Sequence, residues 1–396
     1  MNFSQRLPEM LDDNPLARAV AMRRAAGKPV LDLTLVNPTK AGLPYPFADI
    51  ASALAEGARS VYEPESHGLL SAREAVAASY RGRGPDPVDS ARLCLTASTS
   101  EAYGLLFKLL GDSGAEVLAP RPSYPLIEHM AALEGWRTKS YPLKLVEGVW
   151  QMDLKALTAA ITPATRAIVV VHPHNPTGWM VRNTDAHFLL ETCAARGVAL
   201  IADEVFLDYA AEEQGKIAQS FAAHQVSALT FTLGGLSKSC GMPQLKLGWI
   251  HVGGPEQLAR EAQTRLEFIA DAYLSAGTPV QAALPQLFQI GIQIRAHIQQ
   301  RIAENYAVLA ALPWPQGFSV LPYTAGWSAL VKRPVALDEE MLTVNILERA
   351  GVLAHPGYFF DFDAEGPGYH VVSLLPEPKE FRAGVEALCE WLPKLV

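Results

Sequence analysis

The stretch Ala167-Ile-Val-Val-Val-His-Pro-His-Asn-Pro-Thr-Gly178 decides how this chain folds. Its apolar run is continuous rather than alternating and mostly β-branched, as expected of a strand buried on both faces, and Asn-Pro-Thr-Gly then reads as a turn. A helical pattern follows over residues 184–196 and stops at Gly197, a suitable C-cap. Next comes a second apolar strand, Val198-Ala-Leu-Ile-Ala202, ending at Asp203. Residues 228–233 and 247–252 read as strands too, as do Arg92-Leu-Cys-Leu-Thr96 and Glu116-Val-Leu-Ala119 upstream, with an amphipathic run over 100–110 between those two. This βαβα rhythm predicts an α/β fold whose mainly parallel sheet is flanked by helices.

Beyond residue 254 the texture changes to long helical patterns over 255–274 and 280–312. Strand candidates at 328–331 and 370–374 then alternate with helices at 338–350 and 378–392, which suggests a smaller α+β domain. The expected division is an N-terminal segment 1–46 packing on the small domain, a large domain 47–290 and a small C-terminal domain 291–396. The N-terminal segment shows no strong pattern of its own.

Composition narrows the function classes. The 396 residues carry 33 basic and 41 acidic side chains, a net charge of −8, with no basic stripe to follow a nucleic acid or an anionic membrane. Apolar residues make up 49%, enough for a large core. The four cysteines form no CxxC pair, so the expectation is a reduced, cytoplasmic protein without a thiolate zinc site. Residues 272–294 are uncharged and long enough to span a bilayer, but their two prolines, two glycines and four glutamines fit a buried helix instead. The first twenty residues are interrupted by Pro8, Asp12, Asp13 and Pro15, unlike a signal peptide.

Three residues at strand ends carry the chemistry. Lys238 lies in Gly234-Gly-Leu-Ser-Lys-Ser-Cys-Gly-Met-Pro243, a small-residue loop just past a strand, where α/β sheets bind ligands. Asp203 closes a strand, and a carboxylate desolvated there needs a partner. Asn175 opens the Asn-Pro-Thr-Gly turn. Singly, each has an ordinary structural explanation: a solvated loop lysine, a helix cap, a turn. Their order and spacing, 28 residues and then 35, are more specific. His172 and His174 form a His-x-His pair, but no acidic or thiol ligand stands at metal-binding spacing. Neither a strand-borne Gly-x-Gly-x-x-Gly nor a Gly-Lys-Ser/Thr loop occurs.

With its flanking motifs, this constellation resembles the class I/II aminotransferases, pyridoxal 5'-phosphate (PLP) enzymes of fold type I. The further motifs are Tyr62-Glu-Pro-Glu-Ser-His-Gly68 with Ala72-Arg-Glu-Ala-Val76, Thr96-Ala-Ser-Thr-Ser-Glu-Ala102, Pro122-Ser-Tyr-Pro125, Ala202-Asp-Glu-Val-Phe206, Leu236-Ser-Lys238 with Leu247-Gly-Trp249, and Gly351-Val-Leu-Ala-His-Pro-Gly357. The resemblance implies a Lys238 aldimine and proton transfer by the same lysine. It implies that Asp203 holds the pyridine nitrogen, Asn175 the ring oxygen, and that Tyr124 stacks on the ring. The phosphate would be held by Ser98, Thr99, Ser100, Ser237 and Lys246, with Tyr62 reaching over from a second subunit of a homodimer. The substrates implied are an amino donor and a 2-oxo acid. A carbon–sulfur β-lyase using the same residues, or a PLP-binding homologue without turnover, are the rival readings.

The sequence departs from this family at four positions. Phe206 stands where a tyrosine usually bonds the ring oxygen, Gly235 where a serine meets the phosphate, and Lys246 where an arginine clamps it. Val371, in Tyr369-His-Val-Val-Ser-Leu-Leu375, stands where most relatives bind the substrate carboxylate with an arginine. Arg333 and Arg382 are basic residues nearby in sequence, and the spacing selects neither as a substitute.

Overall fold

The structure is a computed structural model that describes residues 3–8, 14–211, 219–334, 339–363 and 366–395. Near the N-terminus, β1 (Leu31–Asp32) is a short strand. The main sheet contains β2 (Leu93–Thr96), β3 (Glu116–Arg121), β4 (Arg137–Val146), β5 (Val149–Met152), β6 (Thr165–Val171), β7 (Ala199–Asp203), β8 (Thr230–Gly235) and β9 (Gly248–Gly253). Its spatial order is β2-β9-β8-β7-β6-β3-β4-β5. The central pairings from β8 to β4 are parallel, while β9 and β5 bring in the antiparallel ones at either side.

The unbroken apolar run of β6 has the expected cause. Ala167, Val169 and Val171 face one core and Ile168 and Val170 the other, so both faces of the strand are covered. Burying each of these valines or isoleucines contributes roughly 1.5–3 kcal/mol, and over residues 167–171 the strand has no side left for a polar residue. The helix Asn183–Arg196 stops at Gly197, whose φ of 63° is left-handed, as the sequence reading requires.

A second, antiparallel sheet has the order β10 (Ser319–Val320), β11 (Ser328–Arg333), β14 (Gly368–Ser373), β13 (His355–Pro356). The remaining strand, β12 (Val352–Leu353), pairs in parallel with β1. The helix Glu256–Asp271 shares a core with the main sheet through Ala259, Ala262, Leu266 and Ala270. The helix Thr278–Ala310 runs unbroken for 33 residues through residue 290. It packs Leu284 and Leu287 into the same core as Phe381 and Leu388, so the backbone has no break where the sequence suggests a domain boundary.

The N-terminal region holds an element that the sequence pattern did not reveal, the helix Pro15–Ala25. Asn14 caps it, its side chain accepting the Ala17 N–H at 2.7 Å. Only Ala19 and Val20 are buried, against Leu347 and Leu353, which is too short an apolar stripe to stand out in sequence. The C-terminal helices are Glu339–Ala350 and Pro378–Leu395, with residue 338, the expected start of the first, outside the described residues. Among the described residues, no helix is long and apolar enough to cross a membrane.

Candidate active site

Parallel strands end at the same edge, which is why residues far apart in sequence meet. Val171, Asp203 and Leu233 are register partners on β6, β7 and β8. Asn175 therefore lies just beyond one strand end, Asp203 is the last residue of the next, and Lys238 follows the third. Lys238 sits on a one-turn helix, Leu236–Ser239, rather than in the open loop expected from its small neighbours. The Leu236 N–H bonds the Leu247 carbonyl and holds that turn against the segment leading into β9.

Asp203 is half-buried and already oriented. Tyr103 Oη donates to its Oδ2 at 3.1 Å and the Val205 N–H to its Oδ1 at 3.2 Å. Burial raises its carboxyl to about 6, against the opposing pull of these two donors and of Lys238. Burial acts the other way on Lys238 and lowers its amine to about 8, while the Asp203 charge resists. The ammonium lies 4.6 Å from the Trp327 ring centroid and 5.6 Å from that of Phe206, two aromatic faces that partly replace lost hydration. Tyr209 Oη donates to the Lys238 carbonyl at 2.7 Å and fixes the turn from behind.

Ser98, Thr99 and Ser100 open the helix Thr99–Leu110. The Ser98 hydroxyl accepts the Glu101 N–H at 3.1 Å, so it is a true N-cap, and the first-turn N–H groups face outward with the positive end of the helix dipole. A β carbon on Gly248 would stand 2.9 Å from the Ser98 carbonyl carbon and 3.0 Å from the Thr99 nitrogen. The close approach of β9 to this helix start therefore requires glycine there. Gly235 lies at the same place, its absent β carbon 3.7 Å from the Thr99 methyl. Ser237 is half-buried on the lysine turn, and Lys246 is exposed at a φ of 50°.

Tyr124 follows β3 at this edge and is 42% exposed, its ring edge-on to Phe359 and tilted against Phe360. Tyr62 is 67% exposed beside Val61, itself 78% exposed. Asp203 and Lys238 thus feel each other's charge, Tyr103 bonding the first and the Phe206 and Trp327 rings facing the second, while Asn175 and Tyr124 flank them on neighbouring strand ends. Tyr103 and Trp327 were not singled out from sequence. Tyr103 had a signal: it lies one helical turn past Thr99, on the inward face. Trp327 had none, because nothing local ties the residue before β11 to Lys238.

Val371, on β14 of the second sheet, lies in uncharged surroundings. That side chain is 1% exposed, packed with Leu321, Leu330, Phe360, Phe362 and Tyr369. Its register partners are Leu330 and His355, and burial depresses His355 to about 4, leaving it neutral at pH 7. Neither arginine takes over. Leu330 and Lys332 share a face of β11 with Val371 and Tyr369 opposite, so Arg333 points to the other face, where it is fully buried and bonds Glu339 at 2.6 Å. Arg382 lies on the exposed side of the last helix, 3.7 Å from Glu386.

The two histidines are occupied within the fold: His172 Nδ1 accepts the Val181 N–H, and His174 Nδ1 bonds the Thr177 hydroxyl. No group of three or more His, Cys, Asp or Glu residues is placed to hold a metal among the described residues.

Glutamate-pyruvate aminotransferase AlaA of Escherichia coli is 29% identical over 276 residues, 68% of this chain, and the match spans just under two thirds, 66%, of that relative. Alanine aminotransferase of Mycobacterium tuberculosis is 26% identical over 395 residues, covering 96% of this chain and 89% of the relative. In fold, the chain matches the solved alanine aminotransferase of Pyrococcus furiosus with a TM-score of 0.86, at 22% identity and over 99% and 100% of the two chains. The profile of one family runs through both cores and every strand-end residue described above, from residue 29 to residue 387: this chain belongs to the aminotransferase class I and II family.

Proposed function

We propose that this chain is a PLP-dependent aminotransferase that moves an amino group between an amino donor and a 2-oxo acid, works as a cytoplasmic homodimer, and uses the residues named above. The observation that carries this reading is the Asp203–Lys238 pair, two opposite charges half-buried at adjacent strand ends with no other function visible for either. The donor set fits the cofactor: a carboxylate for a ring nitrogen, an amine for an aldehyde carbon, an amide for a ring oxygen, and a helix start for a phosphate. When bound, PLP supplies the electron sink for the carbanion left at the substrate Cα.

The chain's own residues do the rest. Lowering the Lys238 amine to about 8 raises its neutral fraction at pH 7.5 from about one in a thousand to about one in four. A neutral Nζ can form the covalent link and can later take a proton from Cα and return it one atom away. Tyr103 and the Val205 N–H each occupy one Asp203 oxygen and hold the carboxylate in one orientation. Phe206 and Trp327 keep water from the amine, which preserves its lowered basicity. The N–H groups at Thr99 and Ser100 supply anion contacts at no cost in rearrangement.

The test is direct. The purified protein should absorb near the visible edge, and borohydride should fix a pyridoxyl mass on Lys238 in a peptide map. An amino donor should bleach that absorbance only until a 2-oxo acid restores it. Release of pyruvate and ammonia without an acceptor favours the β-lyase reading, and absorbance without either response favours a non-catalytic homologue.

A further inference from the structure

Asp203 and Glu204 are consecutive, and strand alternation sends their side chains to opposite faces of the main sheet. Asp203 joins the strand-end site. Glu204, with Gly234 and Trp249, turns toward a pocket of about 170 Å³ that also borders the lysine turn at Gly235 and Ser239. Two arginines reach this pocket, Arg83 from just past the helix Leu70–Ser79 and Arg295 from the long helix Thr278–Ala310. Both pair with the same oxygen of Asp208, Arg295 at 3.2 Å. Arg83 also donates to the Ser79 carbonyl and Arg295 to that of Ser239, each at 3.3 Å. The two arginine side chains stay 19% and 27% exposed, so their remaining N–H donors can be reached from the pocket.

Two guanidiniums against one carboxylate leave a positive charge over. Neither arginine has a second acidic partner among the described residues. Glu204 does not cancel the surplus, because burial raises its carboxyl to about 8 and keeps it neutral at pH 7. A partly desolvated charge without a counter-charge is costly, and the N–H fork of a guanidinium fits a carboxylate. The lining also includes the apolar side chains of Trp249, Phe288 and Ile292. A cavity of roughly 150 Å³ already takes up benzene, so this one has room for a carboxylate with a short carbon tail. We propose that the pocket binds a small aliphatic carboxylate, its oxygens bridging Arg83 and Arg295 and its tail against Phe288 and Ile292. Arg295 holds the Ser239 carbonyl, so an occupant bonded to it bears on the turn that carries Lys238. The site lies on the face of the sheet away from Asp203 and does not depend on the proposed reaction.

The experiment is a ligand-observed NMR titration of the full-length protein with butyrate, and with neutral butyramide as the uncharged match. One saturable site per chain is expected for butyrate, with the amide bound about tenfold more weakly or worse. Removing either arginine leaves the other matched to Asp208, so Arg83→Met and Arg295→Met should both fold and should each weaken butyrate about tenfold. Asp208→Asn should act the other way and tighten it about threefold or more, because both guanidiniums then face the ligand unmatched. Tyr124→Ala, at the strand-end site, should leave the affinity unchanged. No binding, equal binding of acid and amide, full affinity in either arginine variant, weaker binding in a folded Asp208→Asn, or loss in Tyr124→Ala each overturns the proposal. If Asp208→Asn does not fold, the acid-to-amide ratio and the two arginine variants still decide it.

Discussion

The carboxyl edge of the main sheet and the inner face of the second sheet confront each other with opposite chemistry. The first holds two charges in a half-buried setting that moves both toward neutrality, Asp203 up to about 6 and Lys238 down to about 8. The second buries Val371 among apolar and aromatic neighbours, at the position where the family resemblance led us to expect an arginine. The difference separates two tasks. Reaction chemistry needs groups whose charge can change near neutral pH, so it is built where burial works against charge. The Val371 cluster offers no cation.

The comparison breaks most severely at Lys238. Lys238→Ala should cut the rate of the amino-donor half-reaction by about 10⁴-fold or more, since one side chain supplies both nucleophile and proton carrier. Stopped-flow absorbance checks this, and a mutant with normal turnover means the chemistry lies elsewhere. Asp203→Asn should lose about 10²–10³-fold, the scale of removing one fixed electrostatic partner. Tyr103→Phe removes only an orienting bond, so about a tenfold loss, in kcat rather than KM, is expected.

On the opposite wall the sharpest variant is Val371→Arg. A guanidinium forced into that cluster lacks a counter-charge, so the folded state should lose several kcal/mol in urea unfolding, whereas the bulkier but uncharged Val371→Met should lose only about 1–3 kcal/mol. If the arginine variant is instead fully stable and gains turnover of aspartate or alanine, the wall is an emptied carboxylate anchor with room to spare. In either case aspartate and alanine should be poor donors for the unmodified chain.

Acid should probe both regions together. Burial lowers His172 and His251 of the main sheet, and His355 of the second, to about 4, and His174 and His370 to about 3. A folded value below the unfolded one means the unfolded chain takes up protons first. The stability these histidines contribute is therefore present above about 6.5 and lost as pH falls toward 4 and below. The melting temperature of the apoprotein should fall steadily from pH 7 to pH 4.5. His370 has neither ring nitrogen partnered, so His370→Phe should flatten that slope by up to about 1.4 kcal/mol per pH unit. An unchanged slope means His370 is solvated. The smallest effect is expected of Phe206→Tyr. The ring already faces the Lys238 amine, so a phenol there should shift the absorbance titration of the loaded protein downward by about one unit. No shift means the hydroxyl points past the cofactor oxygen.

The sequence by itself determined the parallel strands and the three residues at their ends. A strand buried on both faces must be apolar throughout, and parallel strands must deliver their C-terminal residues to one edge. Asn175, Asp203 and Lys238 were therefore legible from local pattern, as was the glycine stop at Gly197. The tertiary structure decided everything that depends on which strand pairs with which. Only the β11–β14 register shows that Arg333 faces away from Val371, because a shift of one residue would have turned it inward. Only packing brings Trp327 to Lys238, across 89 residues of chain, and Tyr103 to Asp203 from a helix on another strand. Alternation along a strand is written in the sequence, but the identity of the face is settled by the neighbour it pairs with.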